Sequence, residues 1–188
     1  MNTKRRFWGW PLLALLAAGC GYNTIQTYDE QVNSAFSQIK VQLQRRADLI
    51  PNLVTTVQAY AKQERDIFTA VAEARSRLSG AIQTGDPQQM ADANQALNAP
   101  LGRLLAIVEN YPQLKSDVNF RQLQDELAGT ENRIAVSRQD YNDAVNQYNA
   151  YIRRFPQVLT AKVTGAKART YFQSSAAADT APVVKFND

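Results

Sequence analysis

The sequence predicts an all-α protein, an elongated antiparallel bundle of three long helices with the first helix longest and kinked near Pro51. Three observations lead there. Residues 24–79 contain no glycine and a single proline. In three separate stretches apolar residues recur at steps of three and four, the spacing of one helix face. No stretch sustains the apolar–polar alternation of a half-buried strand.

The N-terminus, "MNTKRRFWGWPLLALLAAGC", has the layout of a secretory signal: Lys4, Arg5 and Arg6, an apolar run from Phe7 to Ala17, then small residues. The apolar run is about 12 residues, against the roughly 20 that a spanning helix needs. Cys20 follows "LAAG" as the only cysteine of the chain, so the stretch reads as a lipobox-like signal over 1–19 with Cys20 as the lipid-attachment residue. Ala17 stands where a large aliphatic residue is usual, which leaves a plain signal or a short uncleaved anchor as the other readings. Several acyl chains anchor stably where one does not. Gly21, not Asp, follows the cysteine, which favours the outer membrane in a cell that has one.

In the first helix, steps of three and four from Leu43 give Ala47, Ile50, Val54, Val57, Ala61, Glu64, Phe68, Val71, Arg75 and Leu78, and "TGDP" after Gly80 ends it. Upstream, Ile25, Tyr28, Val32, Phe36 and Ile39 extend the seam with a change of phase before Leu43, which locally alters the supercoil. Asp86 caps the second helix, with Pro87 at its first position and Gln89 completing a capping box. Its stripe is Met90, Ala93, Leu97, Leu101, Leu104 and Val108, with a bend expected at Pro100. After the turn "NYPQLKS", the third helix starts near Asn119. Its stripe runs Phe120, Leu123, Leu127, Thr130, Ile134, Ser137, Tyr141, Ala144, Tyr148, Tyr151 and Phe155 before Pro156 ends it. The bundle domain is thus 20–156. Residues 157–188 read as a mostly irregular tail with a short ordered piece around Tyr171 and Phe172.

The helices would be roughly 85, 35 and 55 Å long at 1.5 Å per residue. The short second helix cannot cover the start of the first. Ile25, Tyr28, Val32, Phe36 and Ile39 are therefore expected to form a self-association stripe, unless kinks or the tail fold back over it. A second cluster lies at "QLQRRADLIPNLV". Pro51 cannot donate to the carbonyl of Ala47 and so leaves it free. Arg45, Arg46, Asp48 and Asn52 are placed to support that carbonyl and fix the bend. The competing reading has Asp48 capping a new helix and the arginines solvated.

The formal charge is +4, from 21 basic and 17 acidic residues. Setting aside the three signal cations leaves 18 against 17, so no electrostatic case for nucleic acid remains. The chain has no histidine, which removes the commonest general base and the Glu-x-x-His metal motif of di-iron bundles. Acidic neighbours such as Asp125 with Glu126, or Asp140 with Asp143, have no such partner. No catalytic residue, metal site or cofactor is expected. Glu131 in "TENR" is placed to pair with an arginine on its own helix or across the bundle. The tyrosines of "DYNDAVNQYNAY" read as core with their phenol ends at the edge.

The segments "SQIKVQLQRRADLIPNLVTTVQAYAKQE", "YPQLKSDVNFRQLQDELAGTENRIAVSRQDYNDAVNQYNAYIRRFP" and "APVVKF" resemble the LemA family of bacterial membrane-anchored proteins, over roughly residues 22–188. The resemblance implies a helical bundle tethered at its N-terminus, lying outside the cytoplasm on the periplasmic side, without enzymatic activity. Many members carry a longer transmembrane segment where this chain has the lipobox-like end. Two functions are expected on these grounds. One is a lipid-anchored envelope protein that self-assembles into a homo-oligomer with a structural, scaffolding role at the membrane. The other is an adaptor that presents a helix face to a membrane partner such as a protease.

Overall fold

The computed structural model describes the backbone of residues 9–173 and the side chains of 21–173. The side chain of Cys20 and those of the expected signal, 1–19, lie outside the described residues, as do residues 174–188. Among the described residues the regular structure is helical throughout: α1 (Gly9–Tyr60), α2 (Arg65–Thr84), α3 (Pro87–Ile107), α4 (Pro112–Ser116), α5 (Val118–Arg153) and α6 (Gln157–Thr164), with a 3-10 turn at Val108–Asn110. The chain divides into two compact units, Met1–Gln38 with Ser137–Tyr171 (the terminal unit) and Ile39–Val136 with Phe172–Asp188 (the central unit).

The first long helix of the sequence reading is two helices. The chain leaves α1 after Tyr60 and resumes at Arg65, although no glycine or proline stands between. Arg75 of α2 donates from Nε to the Ala47 carbonyl of α1 at 2.8 Å. In one continuous helix those residues would be about 42 Å apart, so α2 folds back on α1. The reversal is tertiary in origin. It buries Phe68, Val71 and Leu78, each contributing roughly 1.5–3 kcal/mol. It forfeits a few helical hydrogen bonds whose net worth is about 0.5–1.5 kcal/mol each, and Lys62 and Gln63 at the turn are exposed to water.

In the central unit α2 and α3 pack on one another, joined by a turn in which Gly85 takes a left-handed φ of 68°. The Asp86 carboxylate accepts from the Gln89 amide at 2.8 Å, the expected cap, while the Gln89 side chain meets the Thr84 hydroxyl. The cap of α5 is Asp117. Its Oδ1 accepts from the Phe120 amide at 3.0 Å and its Oδ2 from the Tyr60 hydroxyl at 2.9 Å, tying the end of α1 to the start of α5. These bonds hold the Asp117 carboxyl below its ordinary pKa, the Phe120 amide first and the Tyr60 hydroxyl next. The same carboxylate pushes the Tyr60 phenol up.

In the terminal unit α5 runs antiparallel to the start of α1. Tyr28 meets Tyr151 edge to face at 5.1 Å, and Phe36 meets Tyr141 at 5.5 Å. The tail is only partly irregular. α6 folds onto α1, where a Cβ on Gly21 would stand 3.3 Å from Gln157 Cγ. Beyond Gly165 the chain lies along α5. The Arg169 amide donates to Asn149 Oδ1 at 2.8 Å, and Asn149 Nδ2 returns a bond to the Arg169 carbonyl at 2.9 Å. The Tyr141 hydroxyl donates to the Thr170 carbonyl at 2.8 Å, with burial pushing that phenol's pKa up. Arg169 then grips both carboxylate oxygens of Asp29 at 2.8 and 2.9 Å.

This architecture corrects the expected self-association stripe. Ile25 and Val32 are 2% exposed and Ile39 is fully buried, while Tyr28 and Phe36 stack on tyrosines of α5. The stripe is core within one chain. The length argument took residues 24–79 as one straight helix. Because the chain turns at 61–64, α5 has length left to reach the start of α1.

Candidate functional site

Pro51 lies inside α1, which continues through it as helix. The carbonyl that Pro51 orphans is occupied, but not by the residues the sequence suggested. Arg75, the one cation in the apolar seam of residues 43–78, reaches it from α2. Ala47 is fully buried, so an acceptor there needs a partner. The Arg75 guanidinium supplies one where the helix cannot.

The predicted cluster separates into an inner and an outer part. Arg46 points inward and its side chain is 7% exposed. It donates to Asn94 Oδ1 at 2.6 Å and Asn98 Oδ1 at 2.8 Å on α3, and pairs with Glu131 on α5 at 2.5 Å. One guanidinium thereby joins three helices in the fork geometry only arginine offers. Burial lowers its pKa and Glu131 opposes that shift; arginine remains a cation throughout. Arg45 points outward and makes a loose pair with Glu126 at 3.8 Å, both partners well exposed. Asp48 accepts from Gln44 at 2.8 Å one turn earlier, and Asn52 is exposed. Arg45, Asp48 and Asn52 line a shallow groove of about 640 Å³ with Val41, Leu49 and Ile82. They do not touch the Ala47 carbonyl.

Asn94 and Asn98 were invisible in the sequence, since an asparagine one turn from another on a helix carries no signal until its partner is known. Arg75 had a signal: a charge at a seam position needs a partner within the bundle. Glu131 was singled out and its partner is now Arg46.

The chemistry this arrangement offers is fastening. Arg46 and Arg75 are permanent cations spent on amide, carbonyl and carboxylate oxygens. A smaller cleft of about 280 Å³ beside Arg46 and Glu131 is otherwise lined largely by Leu101, Leu105 and Leu127, and places no second titratable group opposite the carboxylate. Among the described residues no group of three His, Cys, Asp or Glu side chains is arranged to hold a metal ion. Among them also no helix is long and apolar enough to cross a membrane.

A LemA family model matches residues 35–186. Magnetosome proteins MamQ 2 and MamQ 1 of Paramagnetospirillum magneticum (strain ATCC 700264 / AMB-1) are each 31% identical over 188 residues, an alignment spanning 87% of this chain and 68% of theirs. Protein LemA of Metamycoplasma hominis is 22% identical over 133 residues, spanning 71% of this chain and 60% of that protein.

Proposed function

The chain belongs to the LemA family, and from that membership we propose a non-enzymatic, lipid-anchored protein of the cell envelope with a structural role at the membrane. In this reading residues 1–19 are a lipoprotein-type signal, Cys20 carries the lipid, and residues 20–156 form a helical bundle with a bend at Pro51. The bundle stands outside the cytoplasm, on the periplasmic side, and the protein works as a homo-oligomer without cofactor. The observation that carries the reading is the use made of the polar residues around Pro51. Arg46 and, from α2, Arg75 bind helices to one another, and the residues around Pro51 present no acid–base pair to a substrate. The names of the MamQ relatives support it too, since they refer to a subcellular structure and not to a reaction.

Self-association in this reading uses surface other than the buried stripe. Val41, Val118 and Val136, all in the central unit, are each more than half exposed and mark where copies would meet. The second reading, an adaptor for a membrane protein such as a protease, is favoured by the groove along Val41 and Leu49, whose rim carries Arg45 and Asp48.

One preparation separates the two. The full chain is expressed with labelled fatty acid, extracted in detergent and weighed by light scattering. A discrete multimer with no second polypeptide is expected, with label lost in Cys20→Ala. A monomer that co-purifies with another protein gives the adaptor reading instead. Absence of label from the wild-type protein removes the lipid anchor.

A further inference from the structure

Phe155 was expected to complete the core stripe of the third helix, yet it is 81% exposed. α5 stops at Arg153, and the turn into α6 throws Phe155 outward. Leu159 and Val163 follow it, at 56% and 89% exposure. They are four residues apart and share the outer face of α6. Thr160 and Ala161 take the inner face and are buried. Three large apolar side chains thus stand in water on α6 and the turn that leads into it, an arrangement with no folding benefit.

Basic residues flank them. Arg153, Arg154, Lys162 and Lys167 are all exposed, and none takes part in an ion pair among the described residues. The sequence has no acidic residue between Asp143 and Asp179. An exposed apolar face edged by cations is the composition of a helix that lies in a membrane interface and faces anionic headgroups.

Position supplies the independent argument. α6 packs at Gly21 of α1, with Gln157 Cγ 3.3 Å and Thr160 Oγ1 3.7 Å from where a Cβ would stand. Gly21 directly follows Cys20, and one residue of helix rises about 1.5 Å. A lipid on Cys20 would leave the protein beside α6.

We propose that the outer face of α6, with Phe155, is a second membrane contact that docks on an anionic lipid surface and sets the orientation of the anchored chain. The proposal rests on the anchored reading given above. Its occupant is the bilayer and not a second copy, because the patch joins the anchor site and carries one sign of charge, which two copies face to face would bring into repulsion.

The test uses the full chain with Trp8→Phe and Trp10→Phe, so that an indole introduced by Val163→Trp is the sole one. The protein is reconstituted into vesicles of phosphatidylglycerol and phosphatidylethanolamine with brominated acyl chains and recovered by flotation. A blue-shifted Val163→Trp emission, quenched by the brominated chains, is expected; Lys62→Trp, at the exposed turn between α1 and α2, should in the same background emit as in water and escape quenching. Leu159→Trp gives a second position should Val163→Trp disturb the fold, as judged by circular dichroism. Replacing phosphatidylglycerol by phosphatidylcholine, or introducing Lys162→Glu with Lys167→Glu, should weaken the quenching; equal quenching overturns the anionic preference. Protein that floats with water-like emission at both positions overturns the docking face and leaves the anchor standing. A blue shift without lipid quenching means that protein covers the face, and overturns it also. Protein that fails to float overturns the anchored reading and the docking face together.

Discussion

Arg75 answers the defect that Pro51 creates, and the two should therefore be coupled. Arg75→Met leaves the buried Ala47 carbonyl unpaired, an expected cost of about 1–3 kcal/mol. In a Pro51→Ala background the new amide at position 51 donates to that carbonyl, so the same change should cost less. Urea unfolding of the four proteins measures the coupling; additive costs would mean that Arg75 acts through some other contact. The Arg46 clamp predicts an asymmetry. Glu131→Ala leaves the buried Arg46 guanidinium without its counter-charge, an expected cost of about 1–3 kcal/mol with Glu131 itself half exposed. Arg46→Met removes the charge itself and leaves Glu131, half exposed, to water. Glu131→Ala should be the more destabilising of the two, read from unfolding midpoints in the same denaturant series. Of these residues Arg46, Glu131 and Pro51 were legible in the sequence. Asn94 and Asn98 were not, because a hydrogen bond between positions 48 or 52 apart leaves no local pattern.

Helix ends and helix faces fared differently. The Asp86–Pro87 start of α3 was readable because a cap is a local bond within four residues. α5 starts at Val118, beside the expected start near Asn119, and its cap is Asp117. Its folded-state pKa lies below its unfolded value, so its contribution is present above the ordinary carboxylate range and is lost as pH falls through the lowered value. Asp117→Asn retains an acceptor for the Phe120 amide but cannot titrate. Thermal midpoints measured from neutral to acid pH should fall less steeply for this variant than for wild type. Tyr60 runs the other way: its pKa is raised, so its bond holds at neutral pH and loosens only as pH climbs past the phenol range. Along α5 the strict three–four stripe holds at Phe120, Leu127, Thr130, Ile134, Tyr141 and Tyr148, then gives way to Val145, Asn149 and Ile152. A straight helix drifts about 20° per heptad against a 3.5-residue seam, which moves the buried line by one position toward the end of α5; Phe155 lies past that end, in the turn before α6.

At the scale of the whole chain, the decisive feature is that the start of α1 is sealed by residues from the other end of the sequence. With Val32 2% exposed and Phe36 on Tyr141, Val32→Asp with Phe36→Asp should unfold the terminal unit. An unpartnered charge at buried Val32 costs several kcal/mol and one at half-buried Phe36 adds to it, a large share of a stability of about 5–15 kcal/mol. Hydrogen exchange should show loss of protection along Tyr141–Ile152 and at the Arg169 amide. A double variant that keeps this protection but forms a smaller particle would restore the stripe as an interface.

The all-α class, the cap at Asp86 and the lack of histidine were all determined by the sequence itself, because each depends on residue type or on spacing within a turn or two. The family resemblance was carried in the same way, by short motifs. Only the tertiary structure decided that residues 24–79 turn back at 61–64, that Arg75 and not Asp48 holds the Ala47 carbonyl, and that the stripe from Ile25 to Ile39 faces inward. Each of these follows from burial between segments far apart in the chain. A helix of good formers costs little to interrupt in water, and the gain that interrupts it comes from surfaces that meet only once the chain has folded.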